Sequence, residues 1–416
     1  MKELRVKPER IRMALESLGA IGRSPSGGLE RTAFSAADRE GREWLKAAMR
    51  SAGLAVRTDE AANIWGLRRG DKQKLPPIAC GSHIDTVPSG GKYDGALGVI
   101  LALEAARVLA EEGVTLRRGL EIVSFSAEEP NGFGLSTFGS RAAAGKLKRS
   151  VLEGVRDPGG VLLTDALREA GGDPLRFEEA RLAPGDLAAY LEVHIEQGRR
   201  LEEMGIPVGI VTAITGIYRE EVTVTGEANH AGTTLMRDRR DALMAAAELM
   251  LAFESVCRDA PALETVGTIG RISNHPNAAN IIPGQVQLHL EVRGAAAEAI
   301  SAVLQAWRER AGEIGRARGV MLQSVTLLDQ APVPMDGLVA EVCRRQAERL
   351  GLVSLPLGSM AGHDAAHMRA ITRAGMIFVP SIGGRSHCPE EESRLGDIEK
   401  AGNVLLHALL ELDRQL

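Results

Sequence analysis

The fold is decided by residues 78–113, which read IACGSHIDTVPSGGKYDGALGVILALEAARVLAEEG. The short apolar run Ile78–Gly81 predicts a buried strand. Residues Ala96–Glu112 are rich in Ala, Leu and Val at helical spacing, and the Gly113 after them is a residue type that often ends a helix. A second apolar run follows at Leu120–Phe125. Strand, helix and strand in this order predict a βαβ unit of a largely parallel sheet.

The pattern along the remaining sequence predicts two domains. A chain of 416 residues is longer than one hydrophobic core usually serves. From about Thr212 the sequence changes to alternating strands and two helices in the order β-α-β-β-α-β, which is typical of a ferredoxin-like domain. Patterns of the first kind then resume and end in an apolar strand at Met376–Pro380. We therefore predict one α/β domain at residues 1–212 and 329–416, interrupted by an inserted α+β domain at residues 213–328.

The overall charge and the cysteines argue against several classes of protein. The 50 basic and 55 acidic residues give a net charge of -5, so the composition provides no general attraction to nucleic acid or an anionic membrane. The first residues lack the apolar core of a signal peptide, and no apolar run approaches membrane length. We therefore expect a cytoplasmic protein without nucleic-acid or membrane partners. The four cysteines are far apart and form no Cys-x-x-Cys pair, so any metal should be bound by histidine and carboxylate.

Histidine and carboxylate side chains follow four of the predicted strands. Taken alone, a histidine at a strand end or a carboxylate in a turn is most often structural. Open α/β sheets, however, place their ligand sites at the carboxyl ends of the strands. The side chains that should converge there are His83, Asp94, Glu129, His194 and His387. Five nitrogen and oxygen donors are enough for two divalent metals about 3.5 Å apart that share one carboxylate.

Two further carboxylates at this edge are expected to act without binding metal. Glu128 and Glu129 are adjacent, and two neighbouring acids near a buried edge are costly unless a cation neutralises them. With Glu129 as a ligand, Glu128 remains as a candidate general base. Asp85, two residues after His83, is expected to orient the imidazole of that histidine.

The motifs that contain these residues resemble the co-catalytic dizinc superfamily of aminoacylases and carboxypeptidases. Within it, they are most similar to the branch of N-carbamoyl-L-amino acid hydrolases, β-ureidopropionases and allantoate amidohydrolases, and the resemblance spans nearly the whole chain. The motifs are GSHIDTV at 81–87, YDG at 93–95, SAEE at 126–129, HIEQG at 194–198 and GGRSHCP at 383–389. The implied fold is a phosphorylase/hydrolase-like mixed-sheet catalytic domain with an inserted ferredoxin-like domain that serves as lid and dimerisation domain.

The resemblance implies how the metals are bound. Asp94 bridges two divalent ions, His83 and His194 complete one site, and Glu129 and His387 complete the other. Zinc is the expected metal, while manganese, cobalt and nickel also suit these ligands. The resemblance further implies a cis peptide bond after Asp94.

The resemblance also implies substrate contacts and a homodimer. His230 of the inserted domain is expected to stabilise the oxyanion in the active site of a neighbouring subunit, as a catalytic residue. Asn280 and Arg293 match a clamp for the substrate carboxylate, which suits the planar fork of a guanidinium group. Gln197 and Gly384 are further candidates for substrate contacts. His363 and Asp364 are expected to support the site without binding metal.

The predicted activity is hydrolysis of the ureido group of an N-carbamoyl-L-amino acid to the amino acid, carbon dioxide and ammonia. Such an enzyme is a hydrolase of non-peptide C–N bonds that acts on a small carboxylate substrate. Allantoate amidohydrolase and N-acyl-L-amino acid or dipeptide hydrolase remain open, because Pro130–Asn131 and Arg385 depart from the family pattern beside the metals. A non-catalytic binding protein ranks last, since Glu128 and all five candidate ligands are present.

Overall fold

The computed structural model describes residues 4–416, which form two compact units. The first unit contains the described residues up to Thr212 together with Met335–Leu357 and Gly362–Leu416, and the second contains Ala213–Pro334 and Gly358–Ala361. The strands are β1 Ala55–Thr58, β2 Ile64–Arg68, β3 Ile78–His83, β4 Leu120–Phe125, β5 Ala189–Ile195, β6 Val208–Ile214, β7 Gly216–Thr225, β8 Asn229–His230, β9 Thr265–His275, β10 Ile281–Ile282, β11 Gln285–Gly294, β12 Met321–Gln330, β13 Val333–Pro334, β14 Ser354–Ser359 and β15 Arg373–Val379. The α-helices are α1 Pro8–Ala20, α2 Ala36–Ser51, α3 Ala96–Glu111, α4 Phe138–Ala143, α5 Leu163–Glu169, α6 Arg200–Met204, α7 Ala242–Arg258, α8 Ala297–Arg318, α9 Gly337–Arg349, α10 Ala365–Met368 and α11 Leu395–Gln415.

A mixed sheet forms the centre of the fold. Its nine strands follow the order β1-β2-β4-β3-β5-β15-β6-β13, and β14 pairs with β6. The four neighbours β4, β3, β5 and β15 run parallel to one another, whereas the β1–β2, β2–β4 and β15–β6 pairs are antiparallel. Because the four parallel strands are adjacent, their carboxyl ends meet at one edge of the sheet, where α/β proteins place their ligands.

The central strands of the first unit and the helix α3 are buried on all sides. Every residue of β3, β4 and β5 is buried, which explains why these strands read as continuous runs instead of alternating patterns. The helix α3 is also buried around most of its circumference, as expected for a helix that is apolar on every face. Its buried Glu104 is paired with Arg10, whose Nε lies 2.6 Å from Glu104 Oε2. The predicted helix Ala96–Glu112 therefore agrees with the observed α3 to within one residue.

The second unit contains a four-stranded antiparallel sheet in the order β12-β7-β11-β9. Alternate residues of β11 are buried, and α7 packs on α8 with the rings of Phe253 and Trp307 5.3 Å apart. The helical pattern in the sequence extends from Asp238 to Val256, whereas α7 begins at Ala242. Asp241 caps it by accepting hydrogen bonds from Leu243 N and Met244 N. Within residues 4–416, no helix is long and apolar enough to cross a membrane.

Candidate active site

The five predicted metal ligands lie together in the first unit, at the carboxyl ends of the parallel strands. His83 is the last residue of β3 and His194 lies near the end of β5, while Glu129 and His387 follow β4 and β15 in loops. Donor atoms of His83, Asp94 and His194 lie within 4.8 Å of one another, and so do donor atoms of Asp94, Glu129 and His387. Asp94 belongs to both groups.

The two carboxylate oxygens of Asp94 face different partners. Its Oδ1 lies 3.1 Å from His194 Nε2 and 3.5 Å from His83 Nε2. Its Oδ2 lies 3.4 Å from His387 Nε2, and the same His387 nitrogen lies 3.2 Å from Glu129 Oε1. One carboxylate is therefore shared between two groups of donors, which is the arrangement that a pair of adjacent cations requires.

The hydrogen bonds of two histidines leave their Nε2 atoms suited to bind a cation. His83 Nδ1 lies 3.0 Å from the carbonyl oxygen of Asp85, and His194 Nδ1 lies 2.9 Å from that of Ile195. A carbonyl oxygen can only accept, so each Nδ1 carries a proton, and in its neutral form each ring presents a lone pair on Nε2. These lone pairs face Asp94, which is itself an acceptor. The donor set therefore fits divalent metal ions of the zinc type, held by nitrogen and oxygen.

Negative charge is concentrated at this edge. The carboxyl groups of Asp85, Asp94, Glu128 and Glu129 are all buried. Burial raises the pKa of the Glu128 carboxyl well above its usual range, and the hydrogen bonds that His387 donates to Asp94 and Glu129 raise the pKa of His387 to about 10. Both shifts mark a site that favours added positive charge. Two divalent cations would supply four positive charges to balance these four carboxylates.

Asp85 fixes the pair of glutamates that follows β4. Its Oδ1 accepts a hydrogen bond from Glu128 N at 3.2 Å, and its Oδ2 accepts one from Glu129 N at 3.1 Å. The sequence predicted that Asp85 orients His83, and His83 Nδ1 lies 3.0 Å from the main-chain oxygen of Asp85 and 3.5 Å from its nearer carboxylate oxygen. The carboxylate also positions the adjacent loop.

Gln197 and Gly384 border the same group of ligands. Gln197 Nε2 donates to Asp94 Oδ2 at 2.7 Å, whereas its buried Oε1 has no hydrogen-bond partner among the described residues. Gly384 has a φ of 66°, and a Cβ there would lie 2.3 Å from Arg199 Cγ. Only glycine fits at that position, so its contribution is to let the two loops approach closely.

The chain turns sharply between Asp94 and α3. The expectation of a cis peptide bond after Asp94 is wrong, because within residues 4–416 the one cis bond joins His275 to Pro276. Gly95 makes the turn instead with a φ of 63°, and a Cβ on it would lie 2.3 Å from the ring of His83. Glycine is therefore required beside the histidine.

The remaining predicted residues lie in the second unit. β8 pairs with β10, and Ala231 N donates to Asn280 O at 3.0 Å, so the segments of His230 and Asn280 are adjacent. His230 is exposed, and its Nδ1 accepts from Gly232 N at 3.0 Å, which leaves the proton on Nε2 as a donor. Arg293 Nε donates to Glu291 Oε1 at 2.5 Å, and Nη1 donates to a main-chain oxygen at 3.4 Å.

Glu192 is a buried carboxylate beside His194 that none of the sequence motifs indicated. Glu192, His194 and His363 form another group of donors within 4.8 Å, and the rings of His194 and His363 are 4.5 Å apart. Glu192 accepts hydrogen bonds from Ser82 Oγ at 2.7 Å and Ala365 N at 2.9 Å. Side chains two residues apart on a strand share a face, so the position of Glu192 relative to His194 was the available signal.

Comparison with known proteins identifies the family. Residues 79–411 match peptidase family M20/M25/M40. The chain is 39% identical to the N-carbamoyl-L-amino acid amidohydrolase of Geobacillus stearothermophilus, over 98% of this chain and 99% of that protein. It is 37% identical to the ureidoglycolate hydrolase of Oryza sativa subsp. japonica, over 99% of this chain and 86% of that protein. The crystal structure of a hydantoinase/carbamoylase family amidase from Burkholderia ambifaria has a TM-score of 0.90 and 32% identity, with 99% of this chain and 98% of that chain covered. The chain therefore belongs to peptidase family M20/M25/M40 and is an amidohydrolase of that family.

Proposed function

We propose that this protein is a cytoplasmic dimetal hydrolase that converts N-carbamoyl-L-amino acids to the amino acid, carbon dioxide and ammonia. The observation that supports it most is the shared carboxylate of Asp94, which has histidine Nε2 atoms facing each of its two oxygens. His83 and His194 hold one cation, Glu129 and His387 hold the other, and zinc suits this mixture of nitrogen and oxygen donors. The similarity to a carbamoyl-amino acid amidohydrolase supports the choice of substrate.

Glu128 is the proton carrier of the reaction. Two bound divalent cations would supply Lewis acidity, polarising the substrate carbonyl and lowering the pKa of a water. The Glu128 carboxylate accepts a proton from the attacking water and returns it to the departing nitrogen. Its main chain is fixed by Asp85, so the carboxylate can act repeatedly from one position.

The substrate is recognised by polar side chains that can donate hydrogen bonds to it or accept hydrogen bonds from it. The buried Oε1 of Gln197 accepts an N–H of the ureido group, since it has no other partner among the described residues. The Nε2–H of His230 donates to the carbonyl oxygen as negative charge develops there. The guanidinium of Arg293 and the amide of Asn280 bind the substrate carboxylate.

The second unit acts as an inserted ferredoxin-like lid through which two copies form a homodimer. The strand order β12-β7-β11-β9 supports this assignment, as do α7 and α8. Met244 and Leu251 are seven residues apart on α7 and are exposed, which provides an apolar stripe for self-association. His230 then serves the metal centre of the partner copy. Light scattering of the purified protein at the mass of one chain would contradict the dimer.

A ureidoglycolate hydrolase activity is the second candidate, because the chain is nearly as similar to that rice enzyme. Pro130–Asn131 and Arg385, near the ligand loops, differ from the expected family pattern and bear on the choice. Allantoate and N-acyl-L-amino acids are further substrates to compare. All of these substrates present a carboxylate and a C–N bond to the same set of side chains.

A substrate panel with the metal-reconstituted protein tests the proposal. The panel contains N-carbamoyl, N-formyl and N-acetyl forms of several L-amino acids, dipeptides, allantoate and ureidoglycolate, and each reaction is scored for ammonia and for free amino acid. We expect the highest kcat/KM with an N-carbamoyl-L-amino acid, with both products formed in equal amounts. Amino acid release without ammonia from acylated substrates only would replace the ureido assignment with deacylation.

A further inference from the structure

Glu391 is a buried carboxylate that joins two of the ligand loops. Its Oε1 accepts hydrogen bonds from Tyr93 N at 2.8 Å and from Asp94 N at 3.0 Å. Its Oε2 lies 3.1 Å from Ser386 Oγ. Only 4% of Glu391 is exposed to solvent. The side chain therefore binds the main chain of the loop after β3 while it belongs to the segment after β15.

The carboxylate of Asp94 is also held, by polar side chains of two other loops. Ser386 Oγ lies 2.8 Å from Asp94 Oδ2, and Gln197 Nε2 lies 2.7 Å from that oxygen. Ser386 directly precedes His387, the ligand on the other side of Oδ2. Asp94 is thus held at its main chain by Glu391 and at its carboxylate by residues that neighbour the other ligands.

Two backbone features concern the two segments that Glu391 joins, which are the glycine-rich loop before Asp94 and the segment that contains His387. His387 has a φ of 57°, a left-handed conformation that is unfavourable for a residue with a Cβ and persists only when its surroundings hold it. A Cβ on Gly91 would lie 2.2 Å from Glu391 Oε1, so the glycine-rich loop approaches the carboxylate too closely for any side chain. A buried carboxylate near Asp94 is itself costly unless hydrogen bonds compensate it.

We infer that Glu391 is a positioning residue of the metal centre, which fixes the Asp94 loop against the His387 loop so that both cations are retained. It is not among the candidate ligands, and it acts through the main chain of Asp94. This inference rests on the proposed dimetal function. Outer partners of metal ligands typically change metal affinity by about 10- to 100-fold when they are removed, which sets the scale of the expected effect.

Three substitutions of Glu391 separate its hydrogen bonds from its charge. Glu391→Gln keeps an oxygen that can accept from both main-chain N–H groups. Glu391→Asp keeps the charge but shortens the reach, and Glu391→Ala removes the acceptor. Glu390→Ala is the matched control, since Glu390 is the exposed neighbour of the buried residue.

The decisive measurement is zinc affinity, obtained by titrating metal-stripped protein with zinc in competition with a chromogenic chelator. Of the two zinc ions, we expect the more weakly bound one to bind about 10- to 100-fold less tightly to the alanine and aspartate variants. The zinc affinities of Glu391→Gln and Glu390→Ala should stay within about threefold of that of the parent protein. At limiting zinc, kcat of the alanine variant falls and is recovered by added zinc, whereas KM is unchanged.

Parent-like zinc affinity in a folded Glu391→Ala variant would overturn the inference, and so would a glutamine variant as weak as the aspartate variant. Should the alanine variant fail to fold, the comparison of glutamine with aspartate decides the question in the same way. The metal titration needs no substrate. A parent protein that binds fewer than two zinc ions would therefore refute the proposed function itself, which is a different result from a loss confined to the variants.

Discussion

Replacing Glu128 with glutamine tests whether the buried carboxylate is the proton acceptor. Glutamine has nearly the same size and shape as glutamate but cannot accept a proton at neutral pH. Glu128 is 8% exposed, and its main-chain N–H is fixed by Asp85 Oδ1 at 3.2 Å. The new side chain should therefore occupy the same space without moving the ligand Glu129. The substitution removes one chemical property and leaves the geometry in place.

The expected loss is a fall in kcat of about 10²- to 10⁴-fold, which is what a positioned general base contributes. At 1.36 kcal/mol for each factor of ten, this corresponds to roughly 3–5 kcal/mol of transition-state stabilisation. Glu128 Oε2 lies 3.6 Å from Nε2 of the predicted ligand His83, a distance at which no direct hydrogen bond is lost. KM should stay within about threefold, because the substrate carboxylate and ureido group are assigned to other side chains.

The assay compares Glu128→Gln with Glu129→Gln, which changes the adjacent carboxylate. Both variants are loaded with zinc, freed of excess metal and analysed for bound zinc and for ammonia release from an N-carbamoyl-L-amino acid. Glu129 Oε1 lies 3.2 Å from His387 Nε2, so its replacement should lower the zinc content. Glu128→Gln should keep two zinc ions per chain and lose turnover.

Two results would refute this reasoning. A Glu128→Gln variant with more than a tenth of the parent kcat would remove Glu128 as the base. A variant that loses zinc as Glu129→Gln does would make Glu128 a ligand, an arrangement that the structure also offers because donor atoms of His83, Glu128 and Glu129 lie within 4.8 Å of one another.

Three further predictions concern metal removal, substrate binding and pH. Exhaustive chelation should abolish ammonia release, and added zinc or manganese should restore it; activity that survives chelation contradicts the dimetal assignment. Arg293→Ala should raise KM for a carboxylate substrate by about 10- to 100-fold with little change in kcat, since charged hydrogen bonds contribute roughly 1.5–3 kcal/mol, and a carboxamide analogue should show no such difference. Burial, with Lys146 and Arg141 nearby, lowers the pKa of His367 to about 3, whereas its pKa in the unfolded chain is about 6.5. The stabilising effect of His367 is therefore complete above a pH of about 6.5 and is lost as the pH falls toward 3. Urea denaturation should show that the unfolding free energy decreases between pH 7.5 and pH 4.5 in both proteins, and that the decrease is about 2 kcal/mol smaller in His367→Gln than in the parent. An equal decrease in both proteins contradicts the lowered pKa of His367.

The central strands and the convergence of the five candidate ligands could be predicted because their signals are local. Continuous apolar runs identified β3 and β4, and β3 continues two residues beyond the predicted run to His83 itself. Parallel neighbours bring their carboxyl ends together, so residues far apart in sequence, from His83 to His387, could be expected at one edge without any knowledge of the loops. The start of α7 could not be predicted from the sequence because Asp238 and Asp241 are both acceptable caps, and the structure shows that Asp241 is the one used.

The residues that aim the ligands could not be predicted, because their partners are distant in sequence. Glu391 binds Tyr93 across 298 positions, and Glu192 binds Ala365 across 173. No periodicity relates such pairs. The place of Glu192 two residues before His194 indicated a shared strand face, but nothing in the sequence identified the partner of either carboxylate. Asp85 shows the same limit at short range, since its place beside His83 was evident but the choice between its side chain and its main-chain oxygen was not.

Strain in the ligand loops explains why these distant contacts are needed. Ala127, Gln197 and His387 each follow one of the parallel strands with a left-handed φ of 49°, 57° and 57°, although none is glycine. Each such residue costs of order 1–3 kcal/mol and persists only where its neighbours hold it. Asp85 bonds the residues after Ala127, Ser381 Oγ accepts from Gln197 N at 3.0 Å, and the segment of Glu391 follows His387. The hydrogen bonds that sequence does not reveal are therefore the ones that hold the predicted ligands in place, and a bound metal would add to them by stabilising only the strained form.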